Sequence, residues 1–237
     1  MRIKAFLLFL FLFSISVFSE GYALVKPRIG VLRFTNHTSA GWWGGGVGTD
    51  LQDMLIAELA STNNFRVLER KELDDVINEQ DLGASGMVNP RTRSRLGNIT
   101  GAKYLIAATL SAFEQNTSGG GLSFGGISLG GSQDKAYMAV DLKVIDVETG
   151  EIYDARTVEA TSKSSGISIG VSRGGFNGHL GEYKNTPVGK AIRACIMEIV
   201  EYLDCSLIEG KDSGCMDDYR AKERNRREKT RGSIQLD

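Results

Sequence analysis

The 26 residues Ala136–Thr161, AYMAVDLKVIDVETGEIYDARTVEAT, decide the fold. Ala136–Val147 alternates apolar and polar positions, Glu148-Thr149-Gly150 is a hairpin turn signal, and Glu151–Thr161 alternates again. A period of two around a glycine turn predicts two long antiparallel strands. Upstream, Lys103–Phe113 (KYLIAATLSAF) is a largely apolar run of strand length, and Arg28–Phe34 (RIGVLRF) reads as a first strand.

Helical periods flank these runs. Leu51, Met54, Leu55 and Leu59 fall on one face of a helix capped by Thr49 or Asp50 and ended at Asn63-Asn64. Phe65–Leu68 predicts a short strand, and Lys71–Asp81 a helix with Leu73, Val76 and Ile77 inward. Pro90 opens a short third helix to about Asn98. Pro187 opens an amphipathic helix with Val188, Ala191, Ile192, Cys195, Ile199 and Leu203 in register. Together these predict an α+β fold, helices packed on a mainly antiparallel sheet.

The first residues belong to another category. Arg2 and Lys4 precede an apolar run of about 14 residues, and Gly21-Tyr22-Ala23 supplies small residues for cleavage, so residues 1–23 read as a secretory signal peptide. The run is shorter than the roughly 20 residues that span a bilayer. No Cys lies near this point to accept a lipid. Residues 24–204 form the α+β domain, and 205–237 a Cys-containing, basic extension. Tyr219–Asp237 holds seven basic and three acidic residues and reads as a solvated terminal helix. The rest is mildly acidic, which excludes a nucleic-acid binder.

The 237 residues include 29 Gly and only 3 Pro. Eighteen of the glycines fall in three clusters, Gly41–Gly48, Gly119–Gly131 and Gly166–Gly181. Collagen would need a three-residue period, and disorder a low apolar content; here it is 41% with a net charge of -1. The first cluster lacks the Gly-Lys-Ser/Thr ending of a P-loop and any Gly-x-Gly-x-x-Gly. It carries Trp42 and Trp43, which either tuck back onto the domain or present a surface to a partner.

The other clusters reward pairing. With Gly125-Gly126 as a two-residue turn, Phe124 faces Ile127 and Leu122 faces Leu129 on one side of a ribbon, with Ser and Gly on the other. Ile167, Ile169 and Val171 alternate with Gly and Ser in the same way. This is the alternation of a barrel wall, although the apolar band is two or three residues per strand against the roughly 9–11 that cross a bilayer. Such ribbons are edges that neighbouring copies could pair and close. Flexible loops on a soluble domain would have a similar composition.

Cys195 lies in an apolar helical stripe, whereas Cys205 and Cys215 flank a glycine loop and are disulfide candidates in an exported protein. Their spacing matches no zinc pattern, so no metal and no cofactor is expected. His37 and His179 have no triad partners, so no catalytic residues are assigned and the chain is read as a non-enzyme.

The elements FRVLERKELDDVINEQDLGASG at Phe65–Gly86, TGAKYLIAATLSAF at Thr100–Phe113 and VDLKVIDVETGEI at Val140–Ile152 resemble the CsgG family, whose best-known members are outer-membrane secretion channels for curli subunits. The resemblance runs nearly to Leu203. It implies a homo-oligomeric ring in the outer membrane, with Glu114–Lys135 and Ser162–Glu182 as hairpins of a shared β-barrel. It also implies that the loop Asn36–Gly46 lines a pore constriction, with Asn36, Trp43 and the adjacent Trp42 as candidates; the loop is shorter than in curli channels and lacks their Tyr. On this reading the protein is exported to the periplasm or outer membrane of a Gram-negative-type bacterium. It passes a polypeptide and meets a periplasmic accessory protein. The alternative is a soluble periplasmic module or activator whose hairpins bind a partner.

Overall fold

The computed structural model describes residues 25–124, 127–168 and 186–233. The expected signal segment, the Gly125-Gly126 turn, and Ile169, Val171 and His179 of the second glycine-rich segment lie outside them. At 117–133 and 163–168 the description is of the backbone.

The order is β1 (Arg28–Val31), β2 (Thr35–Asn36), α1 (Val47–Thr62), β3 (Arg66–Leu68), α2 (Leu73–Ala84), β4 (Tyr104–Phe124), β5 (Ile127–Asp146), β6 (Ile152–Ser168), α3 (Pro187–Asp204) and α4 (Gly214–Ser233), with a π-helical turn at Cys205–Glu209. The sheet order is β3-β1-β4-β5-β6, with β2 also on β4. Pairings among β1, β2, β3 and β4 are parallel; β4, β5 and β6 are antiparallel over most of their length. The fold is α+β with a mixed, mainly antiparallel sheet.

Helices α1 and α3 cover one face of the sheet. Leu51, Leu55 and Leu59 of α1, and Ile192, Cys195, Ile199 and Leu203 of α3, are buried with Ile29, Val31, Ile106, Leu110, Leu142 and Val144. Their spacing places one apolar stripe per helix against every second strand residue. Gln52 is a buried polar side chain within this layer, and its Nε2 donates to Val31 O at 2.8 Å, so its burial is compensated. Asn63 closes α1 in the left-handed region at φ 56°, a conformation its short polar side chain tolerates. Thr186 caps α3, its Oγ1 accepting from Gly189 N at 3.1 Å, with Pro187 in the first turn.

Four expectations change. The first strand breaks after Val31 because Phe34 N bonds to Gly48 O at 3.1 Å rather than continuing the ladder. Helix α1 begins at Val47, ahead of Thr49 and Asp50, since both their amides donate to Gly46 O. Residues 90–98 form turns and no helix: Asn89 O accepts from Thr92 N and Arg93 N, one turn forms, and Leu96 is exposed rather than buried on a face. Finally, Val76 and Ile77 are each 40% exposed, because no other described helix or strand packs closely on α2.

The terminal helix α4 lies along β6. Arg156 sits over the rings of Tyr202 and Tyr219, 5.2 and 4.5 Å from their centroids, and donates to Tyr219 O at 3.0 Å. Burial pushes the Tyr219 phenol up to about 12. Glu223 accepts from Arg226 and Arg227, which together hold its carboxyl down to about 2, the Arg226 bond being the larger cause. Cys205 and Cys215 are joined by a disulfide, their Cα atoms 6.1 Å apart, which ties α4 to the end of α3. Cys195 is free and buried, its thiol pushed up to about 12 by desolvation.

Two predictions follow from this packing. A Cβ at Gly48 would lie 2.4 Å from Phe34 O, so Gly48→Ala should cost about 1–3 kcal/mol, read from the urea midpoint. Because the Glu223 carboxyl is depressed in the fold, its contribution is present above pH 4.5, its ordinary value, and is lost as pH falls toward 2. Glu223→Gln should therefore lower the midpoint at pH 6 and match the parent near pH 2.

Candidate functional site

The strands that build the sheet outrun its core. Burial by helices ends near Ala136, Ala160 and Ser162, with Phe113 partly buried. The ladder does not end there: Glu114 pairs with Tyr137, and pairing continues to Leu122 with Leu129 and Phe124 with Ile127. Strand β6 follows, Gly131 pairing with Ile167. The arms Glu114–Phe124 and Ile127–Lys135 thus have strand backbone over 11 and 9 residues, about 36 and 30 Å at the usual rise. The backbone is long enough to cross a bilayer, a length that the short apolar bands of the sequence did not convey. Among the described residues this ribbon closes no barrel.

The glycine loop meets the ribbon at its base. Strand β2 sets Asn36 beside Leu110 of β4. Asn36 is half-buried, and its Oδ1 accepts from both Thr38 N (2.8 Å) and Thr38 Oγ1 (2.7 Å), so the side chain folds the loop upon itself. Trp42 is 8% exposed and belongs to the core. Its ring meets Phe113, the last residue before the arm, edge-on at 5.4 Å, and Trp43 at 5.6 Å. Its Nε1 is buried without a hydrogen-bond partner among the described residues. Trp43 is partly buried, and Gly44, Gly45 and Gly46 are exposed at the tip with open space around each. Arg33 Nη2 holds the tip through Gly45 O at 2.7 Å.

The two tryptophans therefore occupy different environments. Trp42 is tucked under the ribbon and Trp43 stands nearer the loop surface. Phe113 and Arg33, the residues that fix this loop, carried no functional signal in the sequence. Phe113 could have been found as the last apolar residue before Glu114, where the strand composition turns polar.

Elsewhere, His37 is exposed and engaged only through its backbone, its N donating to Leu110 O. Cys205, Glu209 and Cys215 form a cluster with metal-ligand geometry, but the disulfide consumes both sulfurs and leaves Glu209 as the single donor.

Residues 11–234 match the family model described as curli production assembly/transport component CsgG. A relative in Neisseria meningitidis serogroup B, "Putative lipoprotein NMB1126/NMB1164", is 30% identical over 207 residues, 85% of this chain and 83% of that protein. The curli production assembly/transport component CsgG of Escherichia coli K12 is 28% identical over 176 residues, 69% of this chain and 62% of that protein, so the match leaves more than a third of the curli component unaligned. Among solved structures, the hypothetical protein CT253 from Chlamydia trachomatis aligns with a TM-score of 0.46 and 14% identity, over 78% of this chain and 99% of that one.

The differing burial of the two tryptophans is testable. Trp42→Ala should cost about 3–5 kcal/mol of stability, read by urea denaturation. Trp43→Ala should cost distinctly less in the same measurement.

Proposed function

The chain belongs to the CsgG family, and from that membership we propose that it is a non-enzymatic, ring-forming protein of the cell envelope that acts as an outer-membrane export channel. The observation that carries this reading is the ribbon of β4, β5 and β6, whose arms continue 9–11 residues beyond the last core contacts. An isolated ribbon leaves edge groups unpaired. Neighbouring copies that pair edge to edge would satisfy them, and closure of the sheet would remove the edges.

In such a ring the loop Asn36–Gly46 is the natural constriction, since it lies at the base of the ribbon and Trp42 fixes it against Phe113. Trp42 would position the loop, and Trp43 with the side-chain-free tip would set the aperture. Asn36 holds the loop's turn. Selectivity would then rest on pore width and lining chemistry. The partners are further copies of the chain, the outer membrane, an exported polypeptide and a periplasmic accessory protein. Leu122, Phe124, Ile127, Leu129 and Ile167, with Ile169 and Val171, are the proposed membrane-hairpin residues.

A second reading, an envelope interaction module whose hairpins bind a partner, is favoured by one observation. The Neisseria meningitidis relative, described as a lipoprotein, matches this chain over 83% of its length, the curli component over 62%.

Electron micrographs of the detergent-extracted protein should show rings, and planar-bilayer recordings should show discrete conductance that rises in Trp43→Ala. A chain that is soluble and monomeric without detergent, and that leaves offered membranes unbound, would sink the channel reading.

A further inference from the structure

The chain carries two dissimilar surfaces. One is α2, which follows the edge strand β3 in the chain, and the other borders α4, which packs on Arg156 of the edge strand β6. Helix α2 (LDDVINEQDLGA) carries Asp74, Asp75, Glu79 and Asp81 and no basic residue. None of the four has an ion-pair partner among the described residues. Acidic groups at 79 and 81 sit toward the carboxyl end, where the helix dipole opposes them. Val76 and Ile77 are exposed beside them. This helix is both charged and apolar on surfaces that nothing in its own chain covers.

The other surface has the complementary character. A cleft of about 800 Å³ runs between α4 and strands β5 and β6, with Met216 and Tyr219 at its floor. Arg220, Arg224 and Arg227, spaced four and three residues apart on one face of α4, line one wall, and Lys143 stands on the other. Arg220 and Arg227 are paired within α4, to Asp217 and Glu223, but Arg224 and Lys143 have no ion-pair partner among the described residues. Arg156, also in the lining, has its Nε buried with no hydrogen-bond partner among the described residues. Cationic donors thus outnumber the anions that meet them.

We propose that copies of this chain join head to tail by seating the acidic helix α2 of one copy in the basic cleft between α4 and β6 of the next. Helix α2 has 12 residues, about 18 Å, and the turns of α4 from Arg220 to Arg227 that border the cleft span about 10 Å, so about two turns of α2 would meet them. The two surfaces are different patches of one chain, so the contact is heterologous and propagates until a rotation closes it into a ring. A single 12-residue helix covers less than the roughly 800 Å² per partner of a stable complex. The contact therefore acts as the charge-specific part of a wider edge-to-edge interface and fixes its register. This inference rests on the ring reading and adds to it which surfaces meet.

The test is a charge exchange in the full mature chain, followed by sedimentation with and without detergent. Lys143→Glu/Arg224→Glu places two acids at the cleft positions that lack ion-pair partners among the described residues, and Asp75→Lys/Glu79→Lys places two lysines on the helix. All four positions are surface side chains without ion-pair partners among the described residues, and an unchanged near-ultraviolet spectrum confirms folding. Each double variant alone should associate about 30-fold more weakly or worse than the parent. An equimolar mixture of the two should restore association between unlike copies, since each exchanged position then meets the opposite charge. Rings in both variants at parental affinity, or a mixture that stays monomeric while the parent assembles, overturn the inference and leave the ring reading standing. Loss of binding to anionic phospholipid vesicles in Lys143→Glu/Arg224→Glu with unchanged assembly assigns the cleft to the membrane and also overturns it. A parent that stays monomeric in both solutions overturns ring and contact together.

Discussion

Everything distinctive in this protein depends on one backbone constraint: an antiparallel ladder that is about twice as long as the core supporting it. From Tyr104 to Phe113 the strand β4 is buried beneath α1 and α3, and from Glu114 to Phe124 it continues with only β5 beside it. Within the core, side-chain burial stabilises the sheet at roughly 25 cal/mol per Å² of apolar area. Beyond it there is no such layer, and a ribbon of two or three strands is marginal in water. The fold thus carries an unmet demand for partners. Family membership and the second edge of the sheet give that demand a direction.

The loop at the base of the ribbon shows how the domain and the arms are linked. Phe113 belongs to the core on one side and to the start of the arm on the other, and Trp42 packs on it. A loop rich in glycine would otherwise have many conformations, since glycine loses the most freedom on folding. Burying the indole of Trp42 and bonding Gly45 O to Arg33 restrict it, even though the indole N–H is left without a partner. Such an orphan costs about 1–3 kcal/mol, which the surrounding aromatic packing offsets. The glycines between Trp43 and Val47 then leave the tip without side chains, so shape there follows the backbone.

The sheet was legible because alternation has physical meaning at every second residue. The hairpin at 147–151 and the facing of Phe124 with Ile127 and Leu122 with Leu129 both follow from a glycine turn and a period of two. The stripe on α3 was legible for the same reason at a period of 3.6. What failed was local and had a tertiary cause. Leu73, Val76 and Ile77 have helical spacing, yet no layer covers Val76 and Ile77 in the single chain. The start of α1 shifted because the amides of Thr49 and Asp50 both donate to Gly46 O, which sets both residues inside the helix. Pro90 opens only a turn, since the residues after it have nothing to bury against.

By itself the sequence determined the α+β class, the antiparallel hairpins, the apolar stripes of α1 and α3 and the membership of a family, because these depend on periodicity and on short ordered motifs. Only the tertiary structure decided that Trp42 is a core residue while Trp43 is nearer the surface, that the ladder continues past the core, and that Lys143 and the arginines of α4 gather at one cleft. The reason is that burial and charge clustering are properties of distance in space. Lys143 and Arg220–Arg227 are far apart along the chain, and the packing of α4 beside β5 and β6 is what brings them together.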